Sequence, residues 1–297
     1  MRIRWIVFLC LLALLPAKGR AQQAGQVELF AGAELSYADI NYLRLYDVLI
    51  NVTPGVKWHL GKDWQVAGQV YLPLINDGYP ERYDMIRLNM ANISKEIHFD
   101  EAKQHFKVTA GLFGMERYGA DLRWMYPINS WLMVHARLGL VNHWALGFNL
   151  QNDVSESEFE TSQWSKFGVA GASVWLNPWA TEFRVSGGRY MNGDNGVEGE
   201  IIRHFNHCSV SLFAQIHERY QSTGGSNDKS GGFRVVMMIP PYKKSHEKVV
   251  FRPASNFRLT YNAQSDGYSM KKYNTDPEEN ERTLPMRLPW GTGNFNE

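Results

Sequence analysis

Cysteine is nearly missing from this chain, with 2 in 297 residues. Cys10 falls in an apolar run near the amino terminus and Cys208 stands alone, so no intrachain disulfide framework is available and the shape must come from burial or a closed hydrogen-bond ladder. Long apolar stretches are scarce too. Beyond the first residues nothing approaches the run of about 18 apolar residues that reads as a membrane helix. Charge of one sign is also lacking: 31 Lys and Arg against 30 Asp and Glu leave a formal charge of +1, without the basic excess that neutralises nucleic-acid phosphates. A mostly disordered chain is excluded by 44% hydrophobic and 13% aromatic residues. What needs explaining is abundance of rings beside a mean hydropathy of -0.36.

The amino terminus reads as a secretory leader. Arg2 and Arg4 precede an apolar run over 5–15, then Pro16, and Gly19-Arg20-Ala21 supplies small residues where a signal peptidase cuts. A run of about 11 residues is too short to span a hydrocarbon core that needs about 20. Residues 1–21 are therefore expected to leave, with maturation at Gln22 and export of the rest.

From 22 to 240 the dominant signal is alternation at period two, which sends successive side chains of a strand to opposite faces. Phe106, Val108, Ala110 and Leu112 fall opposite His105, Lys107, Thr109 and Gly111. Val56, Trp58 and Leu60 fall opposite Lys57 and His59, with Pro54 marking a break because it removes a ladder donor. The pattern continues at Leu132 to Leu140, Phe183 and Val185, Val197 and Ile201, and Val210 to Ile216. Turn clusters such as Gly61-Lys62-Asp63, Asn129-Ser130, Asn177-Pro178 and Gly193-Asp194-Asn195-Gly196 separate these segments. About 12 strands are expected, an even number that suits antiparallel closure. The polar face carries Arg87, Lys107, Arg137, Arg184, Glu200 and Arg203 in mid-strand, as a wet lumen allows. Trp58, Trp64, Trp124, Tyr126, Trp131, Trp164, Trp175, Trp179 and Tyr190 lie nearer strand ends, where membrane-interface girdles put rings. Aromatics also fill sandwich cores, and alternation alone does not separate the two. Residues 241–297 form a C-terminal segment with one strand near 257–261 and a polar tail, expected on the periplasmic side.

No chemistry-bearing motif stands out. His204, His207 and Cys208 lie close together, but no second ligand pair accompanies them, and zinc requires four. No Gly-x-Ser-x-Gly elbow or phosphate loop is present. Glu182, Glu198 and Glu200 invite comparison with the carboxylate pair of glycosidases, but lumen-lining charge is the better account of them. Neither cofactor nor metal is expected.

The run from Gly188-Arg189-Tyr190 through Gly193-Asp194-Asn195-Gly196, then Glu200-Ile201-Ile202-Arg203, then Asp228-Lys229 leading to Phe233 and Ile239-Pro240, resembles the YjbH-like family in its short Bacteroidota-type form. Arg252-Pro253 and Arg258-Leu259-Thr260-Tyr261 add to the likeness, as do Gly68-Gln69-Val70 and Pro73 to Asp77. The resemblance implies an outer-membrane β-barrel associated with exopolysaccharide production, and it brings no catalytic residues. The matched positions are Gly188, Tyr190, Gly193, Asp194, Gly196, Asp228 and Lys229.

Together these readings predict an all-β, antiparallel transmembrane barrel of the bacterial outer membrane, acting without catalysis in polysaccharide export or assembly. Its expected partners are outer-membrane lipid, polysaccharide and other export proteins. Arg137, Glu182, Arg184, Glu200 and Arg203 are the candidate lumen and glycan contacts. The rivals are an outer-membrane enzyme acting on lipid or glycan and a soluble periplasmic β-sandwich.

Overall fold

The computed structural model describes residues 24–38, 47–99, 102–149, 154–159, 164–205, 208–218, 227–237, 244–246, 248–253, 257–263 and 269–278. The expected leader lies outside them. Two short 3-10 turns, at Glu81–Asp84 and Asn177–Trp179, are the only helical elements among these residues.

The chain forms β1 (Val27–Ala31), β2 (Ala33–Ala38), β3 (Asp47–Val52), β4 (Gly55–Gly61), β5 (Trp64–Asp77), β6 (Ile86–Phe99), β7 (Gln104–Phe113), β8 (Arg117–Pro127) and β9 (Leu132–Asn149). There follow β10 (Val154–Phe159), β11 (Ser165–Leu176), β12 (Thr181–Arg189), β13 (Asn195–His204), β14 (Cys208–Glu218), β15 (Asn227–Met237), β16 (Lys244–His246), β17 (Val249–Pro253) and β18 (Phe257–Ala263). All belong to one 18-stranded sheet.

Neighbours in sequence pair antiparallel from β5 through β9 and from β11 through β15, β9 pairs with β11, and β15 with β18. Several segments are pieces of longer strands. β1 and β2 are parted at Gly32 and β3 and β4 near Pro54, the break that proline predicts, while β10 and β11 pair one after the other along β9. Setting those three divisions aside, the fifteen segments up to Met237 make twelve long strands, 15 − 3 = 12.

The expectation of an even count stops there. β17 and β18 add a further long strand in the segment assigned beyond the barrel, where only the portion at 257–261 was anticipated. An odd strand must run parallel to the first, and β17 does pair in parallel with β1, from Val27 opposite Val249 to Ala31 opposite Pro253. The seam is uneven, because β17 pairs with β1 while β18 only runs alongside β2.

The two faces are inverted relative to a water-soluble sheet. On β14, Val210, Leu212 and Ile216 are exposed, Leu212 by 63%, whereas Ser211, Phe213, Gln215 and His217 are buried. On β12 and β13, Phe183, Val185, Val197 and Ile201 face out while Glu182, Ser186, Glu198 and Glu200 are buried. Lys57, Gln69, Lys107, Asp121, Arg123 and Arg234 are buried as well. A sandwich would lay its apolar face on a second sheet; here every described strand belongs to the same one.

The rings assigned to strand ends divide between exposed and buried. Trp58, Trp131, Trp164 and Trp179 are exposed at strand ends, but Trp175 and Tyr190 are buried. Trp175 stacks against His204 at 4.7 Å and Tyr190 joins an inner cluster.

Candidate functional site

The buried side of the sheet is crossed by the chain's own tail. Residues 269–278 follow β18 and pass across the inward faces of the strands. Met270 donates its N–H to Asp194 Oδ2 at 2.6 Å, and Met191 N–H donates to the Lys271 carbonyl at 3.1 Å. Further along, Gly114 N–H reaches the Asn274 carbonyl at 2.9 Å, Asn92 donates to the Thr275 carbonyl at 2.9 Å, and Gln69 to the Pro277 carbonyl at 3.2 Å. Those partners lie on β5 and β6 and in the turns after β7 and before β13, so the tail spans the interior. A segment without a ladder must satisfy its polar backbone by such bonds once buried.

Side chains fix the path. The Tyr273 ring stacks on Phe113 with centroids 5.4 Å apart and meets Phe167 edge-on at 5.3 Å. Arg137 lies 4.2 Å from the ring centre, a cation–π contact. Room for the phenol comes from Gly139, where an added Cβ would stand 1.8 Å from the Tyr273 hydroxyl. Gly55 does the same for Pro277, at 2.6 Å. Tyr273 donates to Asp121 at 2.8 Å, and that carboxylate also accepts from Arg123 at 2.9 Å and Arg137 at 2.7 Å. Burial first, and Asp121 second, push the Tyr273 hydroxyl well above its ordinary range, so it remains a donor.

Below this, Asp276 and Glu278 meet a cationic stretch of wall. Lys57 pairs with Asp276 at 3.2 Å and with Glu278 at 3.1 Å; Lys107 pairs with Asp276 and lies 3.9 Å from Glu96. Burial works against ionisation of Asp276, but Lys107, Lys57 and Arg123 outweigh it and hold the carboxyl well below its ordinary value. The wall here offers Lys57, Lys107, Arg123 and Arg137 against Glu28, Glu96 and Asp121, and the tail adds Asp276 and Glu278.

A second network lines β12 to β15. Arg184 pairs with Glu182 at 2.8 Å and lies 3.8 Å from Glu200; Arg234 pairs with Glu198 at 2.8 Å and also with Glu200. Ser211 donates to Glu200 at 2.6 Å, and His204 sits 3.2 Å from Glu182.

Four of the five candidate lumen residues, Arg137, Glu182, Arg184 and Glu200, therefore face inward, and three of them share one cluster. They are engaged with one another and with the tail. Arg203 is the exception. It follows buried Ile202, is exposed, and shares the outward face with Ile201 near a strand end, 3.3 Å from Thr181 Oγ1 and over the Phe205 ring. A long side chain there runs along apolar surface while its charge reaches water, which lets an arginine occupy the outward register.

The matched motif acquires local work. Gly188 has φ +152°, and a Cβ there would stand 2.0 Å from the Gly168 carbonyl, which closes off any side chain between β11 and β12. Tyr190 lies in the inner cluster with Met270 and Tyr273, Asp194 accepts from the tail, and Gly196 leaves room for the Met270 sulfur. Gly196, His217 and Asp228 fall in one row across β13, β14 and β15, with Lys229 on the opposite, outward face.

No known family model matches this chain, and no curated protein matches it. The geometry therefore has to be read on its own terms. Lys57, Asp121, Arg123, Arg234 and the tail residues Tyr273, Thr275 and Asp276 were missed by the sequence reading as site residues. Alternation places Asp121 and Arg123 on the polar face of β8, a signal that pairs them only once their neighbours are known. Among the described residues no group of three His, Cys, Asp or Glu side chains is placed to hold a metal ion.

Proposed function

We propose that this chain is an outer-membrane β-barrel protein with a non-enzymatic role in exopolysaccharide export or assembly. The observation that carries the membrane reading is the inverted sheet: an apolar outward face beside buried Lys107, Arg123, Glu182 and Arg234. In water an extensive apolar band is costly, whereas in lipid it is the face a spanning strand needs. Strand lengths agree, since β7, β8, β12, β13, β14 and β15 have 10, 11, 9, 10, 11 and 11 residues, against about 9 to 11 for a tilted crossing.

The amino-terminal end of β1 lies with the short connections at 62–63, 128–131 and 177–180, while the strand ends that bound most of the longer ones, Ala38 and Asp47, Asp77 and Ile86, Glu218 and Asn227, lie at the other end. Short turns face the periplasm in such proteins, which sets the long-connection end outside. The polysaccharide reading rests on the resemblance of the Gly188–Gly196 and Asp228–Phe233 stretches to the YjbH-like family. A tail lying across the inward faces favours work at the two ends, as a docking scaffold for export components, over passive conduction through the centre.

Cell fractionation with heat-dependent gel migration tests the location. Recovery in the outer-membrane fraction with an unheated fast-migrating band is expected, and recovery in the soluble periplasm overturns the reading. Deleting the gene is expected to lower secreted polysaccharide; unchanged secretion counts against the assigned role.

A further inference from the structure

The outward face changes character where β11 and β12 approach the long-connection end. Along these strands Ala170, Phe183 and Val185 are exposed, with Leu138 beside them on β9. Above them the same face presents Trp164, Lys166 and Arg189, and there a cavity of about 390 Å³ is lined by Trp164, Ser165, Lys166, Arg189, Asn192 and Gly193. Among the described residues two cations and no carboxylate line it, and neither Lys166 nor Arg189 has an ion-pair partner there. Trp164 is held edge-on against Tyr118 at 5.4 Å. The turn at Gly193, φ +90°, shapes the other wall: a Cβ there would lie 3.3 Å from the Arg189 guanidinium.

This inference rests on the outer-membrane reading above. We propose that the cavity binds the phosphorylated sugar head group of an outer-leaflet glycolipid. A guanidinium and an ammonium set side by side suit phosphate, through the paired N–H groups of arginine and the point charge of lysine. The indole offers a flat face to a sugar. A free acidic polysaccharide shares this chemistry; position separates the two, because the cations sit at the edge of the apolar band, at the depth where a lipid head group lies.

The test uses the full-length protein in detergent, titrated calorimetrically with purified lipopolysaccharide, with the same material after enzymatic removal of phosphate, and with oligogalacturonate. Binding of the phosphorylated form is expected to be about tenfold or more tighter than that of the other two, a difference of about 1.4 kcal/mol or more. The double variant Lys166→Gln/Arg189→Gln is expected to lose that difference, whereas Lys229→Gln, an exposed outward cation away from the cavity, keeps it. Equal binding of both lipid forms, a double variant that binds as the parent does, or oligogalacturonate bound as tightly as the phosphorylated lipid overturns the proposal. Heat-dependent migration measured on the same samples tells the two failures apart. A protein that shifts on heating yet lacks phosphate-dependent binding sinks this proposal alone, and one that neither shifts nor fractionates with membranes sinks the membrane reading too.

Discussion

Tyr273 donates its hydroxyl proton to Asp121 at 2.8 Å, across 152 positions of sequence. The bond joins a tail without regular structure to the middle of β8, and it makes the tail part of the core. Replacing Tyr273 by Ala removes a fully buried ring between Phe113 and Phe167 and is expected to cost about 3 to 5 kcal/mol. Tyr273→Phe keeps the ring and loses one hydrogen bond to a charged acceptor, about 1.5 to 3 kcal/mol. Urea unfolding in detergent ranks the two; equal stability of both variants and the parent would show that the tail contributes nothing.

Space offers an independent handle on the same segment. Gly139→Val introduces a side chain where a Cβ alone would stand 1.8 Å from the Tyr273 hydroxyl. The expected result is displacement of the tail, read as faster cleavage by trypsin after Lys271 and Lys272 while the strand region stays protected. An unchanged digestion rate would contradict the packing.

The carboxyl of Asp276 is held below its ordinary value of 3.8, against the cost of burial, by Lys107, Lys57 and Arg123. A carboxyl depressed on folding adds stability that is present above the unfolded value and lost as pH falls through the folded one. Unfolding midpoints of the parent should therefore drop on acidification below about pH 4. Asp276→Asn should lack that component and be less stable by about 3 to 5 kcal/mol at neutral pH, because Lys57 and Lys107 keep their burial and lose a partner. Parallel pH profiles for parent and variant would refute this assignment.

On the outward face the solvent decides the sign. Leu212→Arg in a water-soluble protein would be close to neutral, since the side chain is exposed already. In lipid it is expected to cost about 2 to 4 kcal/mol at mid-depth, measured by reversible unfolding in phospholipid vesicles.

How much of this was legible beforehand follows from the range of each signal. Alternation is local, so the strands, the break near Pro54 and the inward register of Arg137, Glu182, Arg184 and Glu200 could be read from neighbours two positions apart. Arg203 was misplaced because mid-strand charge was taken as inward; counted from Glu200, three residues on, it falls on the other face. The strand of β17 and β18 was only partly legible, because 254–256 interrupts its pattern and its pairing with β1 joins the two ends of the chain. The tail gave no local signal at all. Its Tyr273, Thr275 and Asp276 read as an ordinary polar stretch, and their partners Asp121, Arg123 and Lys107 lie more than 150 positions away. Gly55 and Gly139 leave the space for it, but a glycine in a strand does not name what occupies the gap.

The central claim is that the apolar face of this sheet meets lipid. It is tested most directly by nitroxide labels placed singly at positions 210 to 216 of β14, in a Cys208→Ser background, with the protein in bilayers. The account predicts collisional relaxation by oxygen that peaks at 210, 212, 214 and 216 and falls at 211, 213 and 215. Peaks for a water-soluble nickel chelate at 210, 212, 214 and 216 would contradict it.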